Sequence, residues 1–341
     1  MKENSSILSK WWKAFRYHFV PPSMFPVIIG ALVSWSNLQG FSLWYFALIL
    51  LTVIINHIAL NMTDDYFDYL HAVDQEKTDG KNPYTGGSGT LTSGLIAPRS
   101  MKYVFSLMYI FVIAVGVYLA IERGWVVLVF GLLGVFSSIF YTAPPIKFSH
   151  HGIGEILMLV NFSVILGLGS YYVQAQMLSL EAILATLPCG IMLFSMIIIN
   201  EIPDIKEDTQ AGKLTLIARY GPLFGIKVYW ISWVCTYAII ILGVLFTILP
   251  FYVLLSLLSL PLVYKSIYIL KNQYKQPQNL IPANLAMIIA HAITSLGIIA
   301  GYAINALSNG APLLVLGYIC IIILLAYLPA SIPLLLPKPK N

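Results

Sequence analysis

Charged residues are scarce in this 341-residue sequence. They make up 10% of it, whereas hydrophobic residues make up 59%. The mean hydropathy is +0.83. Ordinary soluble domains carry about 25% charged residues, so these values exclude that class. We therefore expect an all-α polytopic membrane protein.

Cysteine is equally rare, and Cys189, Cys235 and Cys320 lie in apolar runs without metal-ligand spacing. Packing in the interior is the usual role of such residues. No patch of interleaved aromatic and basic residues indicates a nucleic-acid partner. The net charge of +5 reflects the excess of Lys and Arg in the cytoplasmic loops of membrane proteins. No linker is long enough to separate soluble domains, so we expect a single membrane domain over residues 1–341.

Apolar windows of about 20 residues mark the membrane spans. They predict ten helices, near 20–38, 43–63, 103–121, 125–142, 153–176, 181–200, 222–247, 250–270, 284–306 and 311–335. With a cytoplasmic N-terminus, 18 of the 19 Lys and Arg residues fall in inward-facing segments, and only Arg123 falls outside them. Because the Lys/Arg bias sets orientation, we expect a multi-pass protein of the cell membrane with both termini in the cytoplasm.

The acidic residues are few and unevenly placed. Ten of the 14 lie in two segments on the predicted cytoplasmic side. In the first segment Asn61, Asp65 and Asp68 are spaced i, i+4, i+7 and share one helix face, and Asp64 and Asp68 form a second i, i+4 pair. The acids of this segment are Asp64, Asp65, Asp68, Asp74, Glu76 and Asp79.

The second segment follows the sixth predicted helix. Its Asn200, Asp204 and Asp208 are spaced i, i+4, i+8 and would form one polar stripe on a continuing helix. Its remaining acids are Glu201 and Glu207. Pro203 favours a first helical turn or a kink at this point. The two segments thus present carboxylates and an amide from two helix ends on the same membrane face.

Facing carboxylates at a membrane surface are typical of a site for a metal-bound diphosphate. Mg²⁺ prefers oxygen ligands and commonly bridges a few carboxylates to substrate phosphates. The spacing makes Asp64, Asp65, Asp68, Asp204 and Asp208 the candidate metal ligands. Cations on the same face suit the same ligand, and they are Lys77, Lys81, Lys147, Lys213 and Arg219.

Taken together, Asn61-x3-Asp65-x2-Asp68 with Asp74 and Asn200-x3-Asp204-x3-Asp208-x4-Lys213 resemble the paired motifs of the UbiA superfamily of intramembrane prenyltransferases. The segments DDYFDYLHAVD, NEIPDIKEDTQAGKLTLIARYG and YTAPPIKFSHHGIGE resemble the group within it that prenylates 1,4-dihydroxy-2-naphthoate. The resemblance covers residues 10–305. Asp64 departs from that group, which usually has Asn there, so it is either a ligand or an extra charge.

The resemblance implies a fold of nine transmembrane helices, to which residues 306–341 add a tenth helix and tail without an assignable role. It implies that Asn61, Asp65, Asp68, Asn200, Asp204 and Asp208 hold Mg²⁺ and the diphosphate of a polyprenyl donor. Lys147 and Lys213 would contact that diphosphate, and Tyr141 would line the cavity. Lys81 joins the diphosphate contacts because it is a basic residue on the same membrane face. The implied reaction transfers the polyprenyl group to an aromatic acceptor such as dihydroxynaphthoate, inside the bilayer.

Three other features carry weaker signals. Glu155 and Asn161 are polar residues at the start of the fifth span, where they would either orient the acceptor or join helices. The glycine-rich run 84–94 is either a flexible lid over the site or a plain linker.

Two alternatives to the naphthoate reaction remain open. One is the same fold with another acceptor: 4-hydroxybenzoate, homogentisate, a haem vinyl group or a glycerol-phosphate lipid. The other is a cation-coupled transporter, which predicts acidic residues near the middle of the spans rather than at one face.

Overall fold

The regular structure of the chain is helical throughout the part that the computed structural model describes, which is residues 6–38, 40–71 and 87–335. No strand occurs within those ranges. The predicted all-α class is therefore confirmed. Several residues named above lie outside the described ranges, namely Asp74, Glu76, Lys77, Asp79 and Lys81, together with 84–86 of the glycine-rich run.

Twelve helices are described in chain order. They are α1 Ile7–Phe15, α2 Pro21–Leu38, α3 Leu43–Leu70, α4 Pro98–Arg123, α5 Val126–Phe140, α6 Gly154–Ala175, α7 Leu180–Gln210, α8 Leu216–Tyr220, α9 Pro222–Leu245, α10 Phe251–Gln273, α11 Ile281–Ser308 and α12 Leu313–Leu335. Ten of them correspond to the ten predicted helices, and α1 and α8 are the additional short ones.

Within the described residues, seven helices are long and apolar enough to cross a membrane: α3, α4, α6, α7, α9, α10 and α11. The bent pair Ile7–Phe19 and Pro21–Leu38, with 53° between its halves, raises the number to eight if it counts as one span. The helices α5 and α12 are apolar but shorter. The protein is thus a multi-pass membrane protein, although these lengths do not reproduce the expected count of nine spans.

The two motifs, Asn61 to Asp68 and Asn200 to Asp208, are helical, as their i, i+4 spacings required. The helix α3 continues to Leu70 and α7 continues to Gln210, so both motifs lie on the last turns of long helices. Pro203 sits inside α7 rather than in a first turn. Each motif is therefore presented on a continuous helix face, which holds its side chains in a defined register.

The helices α2 and α7 are central to the bundle. The first packs on α3, α6, α7 and α11, and the second packs also on α6, α9 and α11. Close approach depends on glycine, since a Cβ at Gly30 of α2 would overlap the backbone carbonyl of Gly167 in α6. In membranes, where no hydrophobic effect drives helices together, small residues at such crossings let the helix backbones approach closely and pack.

Candidate active site

Both acidic motifs face one cavity of about 490 Å³. Along α7 its lining runs from Leu193 to Asp208, which is about 22 Å at a helical rise of about 1.5 Å per residue. We call its outer part the polar end, which includes Arg16, Asn61, Asp64, Asp68, Tyr141, Asn200, Glu201, Asp204, Glu207, Asp208 and Lys213. We call its inner part the apolar end, which includes Phe25, His57, Leu60, Met158, Phe162, Leu193, Met196, Ile197, Ile288, His291, Ala292 and Tyr327.

On α3 the residues that reach the polar end of the cavity are Asn61, Asp64 and Asp68. Their spacing is i, i+3, i+7, which is one helix face. Thr142 donates a hydrogen bond of 2.6 Å to Asp64, and Lys213 Nζ lies 3.4 Å from Asp68 Oδ2. The sequence left Asp64 undecided, and the structure assigns it to the cavity wall.

Asp65, which the sequence placed among the working residues, does not line the cavity. It is buried, its Oδ1 lies 3.1 Å from Arg16 Nη1, and it accepts the backbone N–H of Ser88 at 3.1 Å. Both Asp64 and Asp65 belonged to faces that the spacing allowed. Only the rotation of α3 within the bundle decides between them, and it turns Asp65 toward α1 and the segment after α3.

On α7 the predicted residues Asn200, Asp204 and Asp208 all reach the polar end, as expected from their shared stripe. Asn200 Oδ1 accepts a hydrogen bond from Asn284 of α11, which orients the amide. Two acids that were not assigned to the site from the sequence, Glu201 and Glu207, line the cavity as well. Proximity to the motif was the only signal for them.

Among the described residues, two cations, Arg16 and Lys213, belong to the polar end. Lys213 follows α7, and burial acts to lower its pKa, but the carboxylates of Asp68 and Asp208 outweigh burial and hold that pKa well above its usual value. Arg16 lies at the break between α1 and α2 with φ +48°, 3.5 Å from Asp64 and 3.1 Å from Asp65. Arg16 could not be found from the sequence because no spacing connects it to either motif.

Of the other residues predicted to contact the diphosphate or to line the cavity, some lie in its wall and others do not. Tyr141 lines the cavity, as the resemblance implied. Lys147 is not part of the lining, and Lys81 lies outside the described residues. Lys147 has φ +50° and directly precedes a short turn over Phe148–His150.

Glu155 and Asn161, the two polar residues predicted to contact substrate, are not among the residues that line the cavity. Glu155 accepts the backbone N–H of Leu216 at 2.6 Å and so caps the start of α8. Asn161 lines a separate cavity of about 30 Å³ and accepts a hydrogen bond of 2.9 Å from Ser137. Both residues connect helices, which is the structural alternative considered for them.

The described part of the glycine-rich run, 87–94, lies against the site. Gly87 contributes to the cavity wall, and Ser88 donates its N–H to Asp65. This segment therefore covers the end of α3 rather than only connecting two helices.

The donor set of the polar end fits Mg²⁺ shared with a diphosphate. Within the described residues no three His, Cys, Asp or Glu side chains lie close enough to hold a metal ion by themselves. Mg²⁺ commonly takes only one or two protein carboxylates and completes its shell with waters and substrate phosphates. Carboxylates on both α3 and α7 suit that mode. The buried Oε2 of Glu201 adds an oxygen with no hydrogen-bond partner in the described chain.

Comparison with known proteins decides the family. The model of the UbiA prenyltransferase family matches residues 23–288, which is most of the chain and includes both motifs. This protein belongs to the UbiA prenyltransferase family. It is a prenyltransferase, and the polar end contains Asn61, Asp68, Asn200, Asp204 and Asp208 of the paired motifs by which the sequence resembled this family.

Curated relatives of this UbiA prenyltransferase carry related names. The 1,4-dihydroxy-2-naphthoate octaprenyltransferase of Haemophilus influenzae is 30% identical over 307 residues, covering 86% of this chain and 97% of that protein. The 2-carboxy-1,4-naphthoquinone phytyltransferase of Synechocystis sp. is 24% identical and covers 86% and 92%.

Solved structures share the fold at lower identity. A UbiA homologue from Aeropyrum pernix matches with a TM-score of 0.61 at 16% identity, covering 84% of this chain and 98% of that one. A homologue from Archaeoglobus fulgidus bound to DMAPP and Mg²⁺ matches with a TM-score of 0.59 at 16% identity, covering 87% and 99%. At this identity the likeness concerns the fold.

Proposed function

We propose that this enzyme transfers a polyprenyl group from polyprenyl diphosphate to 1,4-dihydroxy-2-naphthoate, releasing diphosphate and CO₂ and giving demethylmenaquinone in its reduced, hydroquinone form. The observation that carries the proposal is the cavity itself. One continuous space has carboxylates and two cations at its outer end and apolar side chains at its inner end. A long apolar chain with a diphosphate head has the same polarity along its length. The names of the relatives support a naphthoate as the acceptor.

The polar end would bind the diphosphate. Arg16 and Lys213 are the cations that the described part of the chain brings to that end. Their charges would stabilise the charge that develops on the departing diphosphate, which is usually the largest electrostatic contribution. When bound, Mg²⁺ would supply further charge to the same oxygens. The residues that would hold it are Asp64, Asp68, Asp204 and Asp208, with Asn61 and Asn200 as neutral oxygen donors. Asp65 would act through Arg16.

The apolar end would protect the allylic cation from water. When the carbon–oxygen bond to diphosphate breaks, its electron pair leaves with the diphosphate. The ring carbon that carries the carboxylate then bonds to the allylic carbon. The carbon–carboxylate bond breaks, and its electrons restore the aromatic ring as CO₂ departs. No external oxidant or base is needed for this sequence.

The proposal includes the placement of the enzyme. The Lys and Arg bias puts the polar end and both termini on the cytoplasmic side of the cell membrane, where both substrates would be made available. The whole chain, 1–341, would act as one membrane domain, with 10–305 as the family core and 306–341 as an addition.

The test is an acceptor panel. Purified enzyme in detergent or liposomes receives labelled polyprenyl diphosphate, Mg²⁺ and one acceptor at a time: dihydroxynaphthoate, 4-hydroxybenzoate, homogentisate, a haem or a glycerol phosphate. Mass analysis should find a prenylated naphthalene that has lost the mass of CO₂. A product with another acceptor and none with the naphthoate would refute this assignment while leaving prenyl transfer in place. Cation flux in liposomes without a prenyl donor would instead favour transport.

A further inference from the structure

The C-terminal helix α12 lies outside the residues matched by the family model, which ends at 288, yet it contributes to the reaction cavity. Its Tyr327 is one of the lining side chains of the apolar end. The sequence had assigned no role to this helix. A residue from outside the family core therefore forms part of the wall around the proposed prenyl chain.

Contacts on one side hold α12 against the bundle. The Tyr17 hydroxyl donates a hydrogen bond of 2.6 Å to the Ala326 carbonyl, and α12 packs on α3 and on the turn Tyr17–Phe19. Ile319 is buried on this side. On the other side Tyr318, Leu324 and Leu325 are exposed, as expected of side chains that meet lipid. The helix thus separates the apolar end from the bilayer.

Tyr327 is held by packing. Its ring centroid lies 6.4 Å from that of Phe25 on α2, and Phe25 in turn lies 5.4 Å from His291 on α11. The buried Tyr327 hydroxyl has no hydrogen-bond partner within the described residues. Packing alone, and no hydrogen bond of its hydroxyl within the described residues, therefore positions this ring.

The cavity is too small to enclose the whole prenyl chain together with the acceptor. A volume of about 490 Å³ is in the range that accommodates one drug-sized ligand. A diphosphate, a bicyclic aromatic acceptor and a long polyprenyl chain together exceed it. The chain must therefore leave the apolar end through a wall that borders lipid, and α12 forms such a wall.

We propose that α12 is the lipid-facing wall of the prenyl-binding cavity and that the polyprenyl chain leaves between Phe25 and Tyr327, so that Tyr327 sets the preference for donor chain length. This inference rests on the proposed function for the identity of the donor. The bulk of Tyr327 at the exit restricts long donors, and a smaller side chain relaxes that restriction.

The first experiment measures kcat/KM for geranyl, geranylgeranyl and octaprenyl diphosphate with one acceptor. Tyr327→Ala should raise the ratio of the octaprenyl to the geranyl value by about tenfold, which is the scale of discrimination by one apolar contact. Tyr327→Phe keeps the ring and should keep the wild-type ratio. Tyr318→Ala, an exposed tyrosine of the same helix, is the matched control and should also keep it. An active Tyr327→Ala enzyme with a ratio within twofold of wild type would overturn the proposal.

A second experiment needs neither a variant nor an acceptor. A long donor with a photoreactive group at the end remote from the diphosphate is bound to the wild-type enzyme and irradiated, and the labelled peptides are identified by mass spectrometry. Label on 313–335 supports the exit beside α12. Label confined to other helices, or none, overturns it. Because no acceptor is present, failure to form a naphthoate product leaves this result unaffected.

Discussion

The two ends of the cavity are organised by different forces. At the polar end Asp64 accepts a hydrogen bond from Thr142, and Asp68 lies beside Lys213. Next to the cavity, Asp65 contacts Arg16 and the backbone N–H of Ser88. At the apolar end the polar atoms His57 Nδ1, His291 Nε2 and the Tyr327 hydroxyl are buried without hydrogen-bond partners in the described chain. The polar end is thus preorganised to bind a charged group, whereas the fit of a ligand to the apolar end depends on shape. Substitutions at the polar end should therefore change the rate, and substitutions at the apolar end should change selectivity.

The largest expected effect is the loss of a motif carboxylate. Asp68→Asn and Asp204→Asn should each lower kcat/KM by about 100-fold to 1,000-fold, because each removes a carboxylate that would hold the Mg²⁺ whose charge stabilises the departing diphosphate. The measurement is prenyl transfer at saturating Mg²⁺. Glu122→Gln, in the last turn of α4 and remote from both motifs, is the control and should stay near wild type. Activity within tenfold of wild type in both motif variants would contradict the assignment.

The next effect concerns Lys213, one of the two described cations of the polar end. Lys213→Met should raise the donor KM by roughly tenfold to 100-fold, because it leaves the carboxylate of Asp68 without the cation 3.4 Å away and removes a charge that would bind diphosphate. Steady-state kinetics with varied donor would show this change. Lys206→Met, an exposed lysine on α7, should leave the donor KM unchanged. Equal KM values for the two variants would place the diphosphate elsewhere.

A third comparison separates two adjacent aspartates. Asp64→Asn should raise the Mg²⁺ concentration needed for half-maximal activity by about tenfold, since Asp64 reaches the cavity. Asp65→Asn should instead lower the thermal midpoint in detergent, because it weakens a buried contact with Arg16. Mg²⁺ titrations and thermal scans of both variants distinguish the roles. The reverse pattern would support the face expected from the motif resemblance.

The smallest effect is a dependence of stability on pH at the margin of the polar end. Burial, with a further contribution from Lys213 and Lys147, lowers the pKa of His150 from its usual value of 6.5 to about 4. Between these values the unfolded chain binds more protons than the folded one, so stability is lost as the pH falls from 6.5 toward 4. The loss amounts to at most about 2 kcal/mol at pH 5. The thermal midpoint should fall less between pH 7 and pH 5 for His150→Asn than for the wild type. An identical fall in both would show that His150 does not titrate in this way.

More residues of the polar end than of the apolar end could be predicted from the sequence. The spacing of Asn200, Asp204 and Asp208 determines that they share a face of α7, and the structure brings all three to the cavity. For α3 two faces satisfied the spacing rules, and the sequence favoured the face with Asp65 and left Asp64 undecided, whereas the structure brings Asp64 to the cavity. The apolar end offered no signal at all, because residues such as Leu193 or Tyr327 look like any other membrane-facing side chain.

The sequence by itself determined the membrane class, the approximate helix positions and the two acidic faces. Long apolar runs have few alternatives to helix in lipid, and helical periodicity follows from chain geometry. Only the tertiary structure decided which neighbour each face meets. It brings Arg16 to Asp64 and Asp65, uses Glu155 to cap α8, and sets Tyr327 in the wall of a cavity whose motifs lie more than a hundred residues earlier. The rotation and packing of whole helices produce these contacts, and they depend on side chains spread along the entire chain.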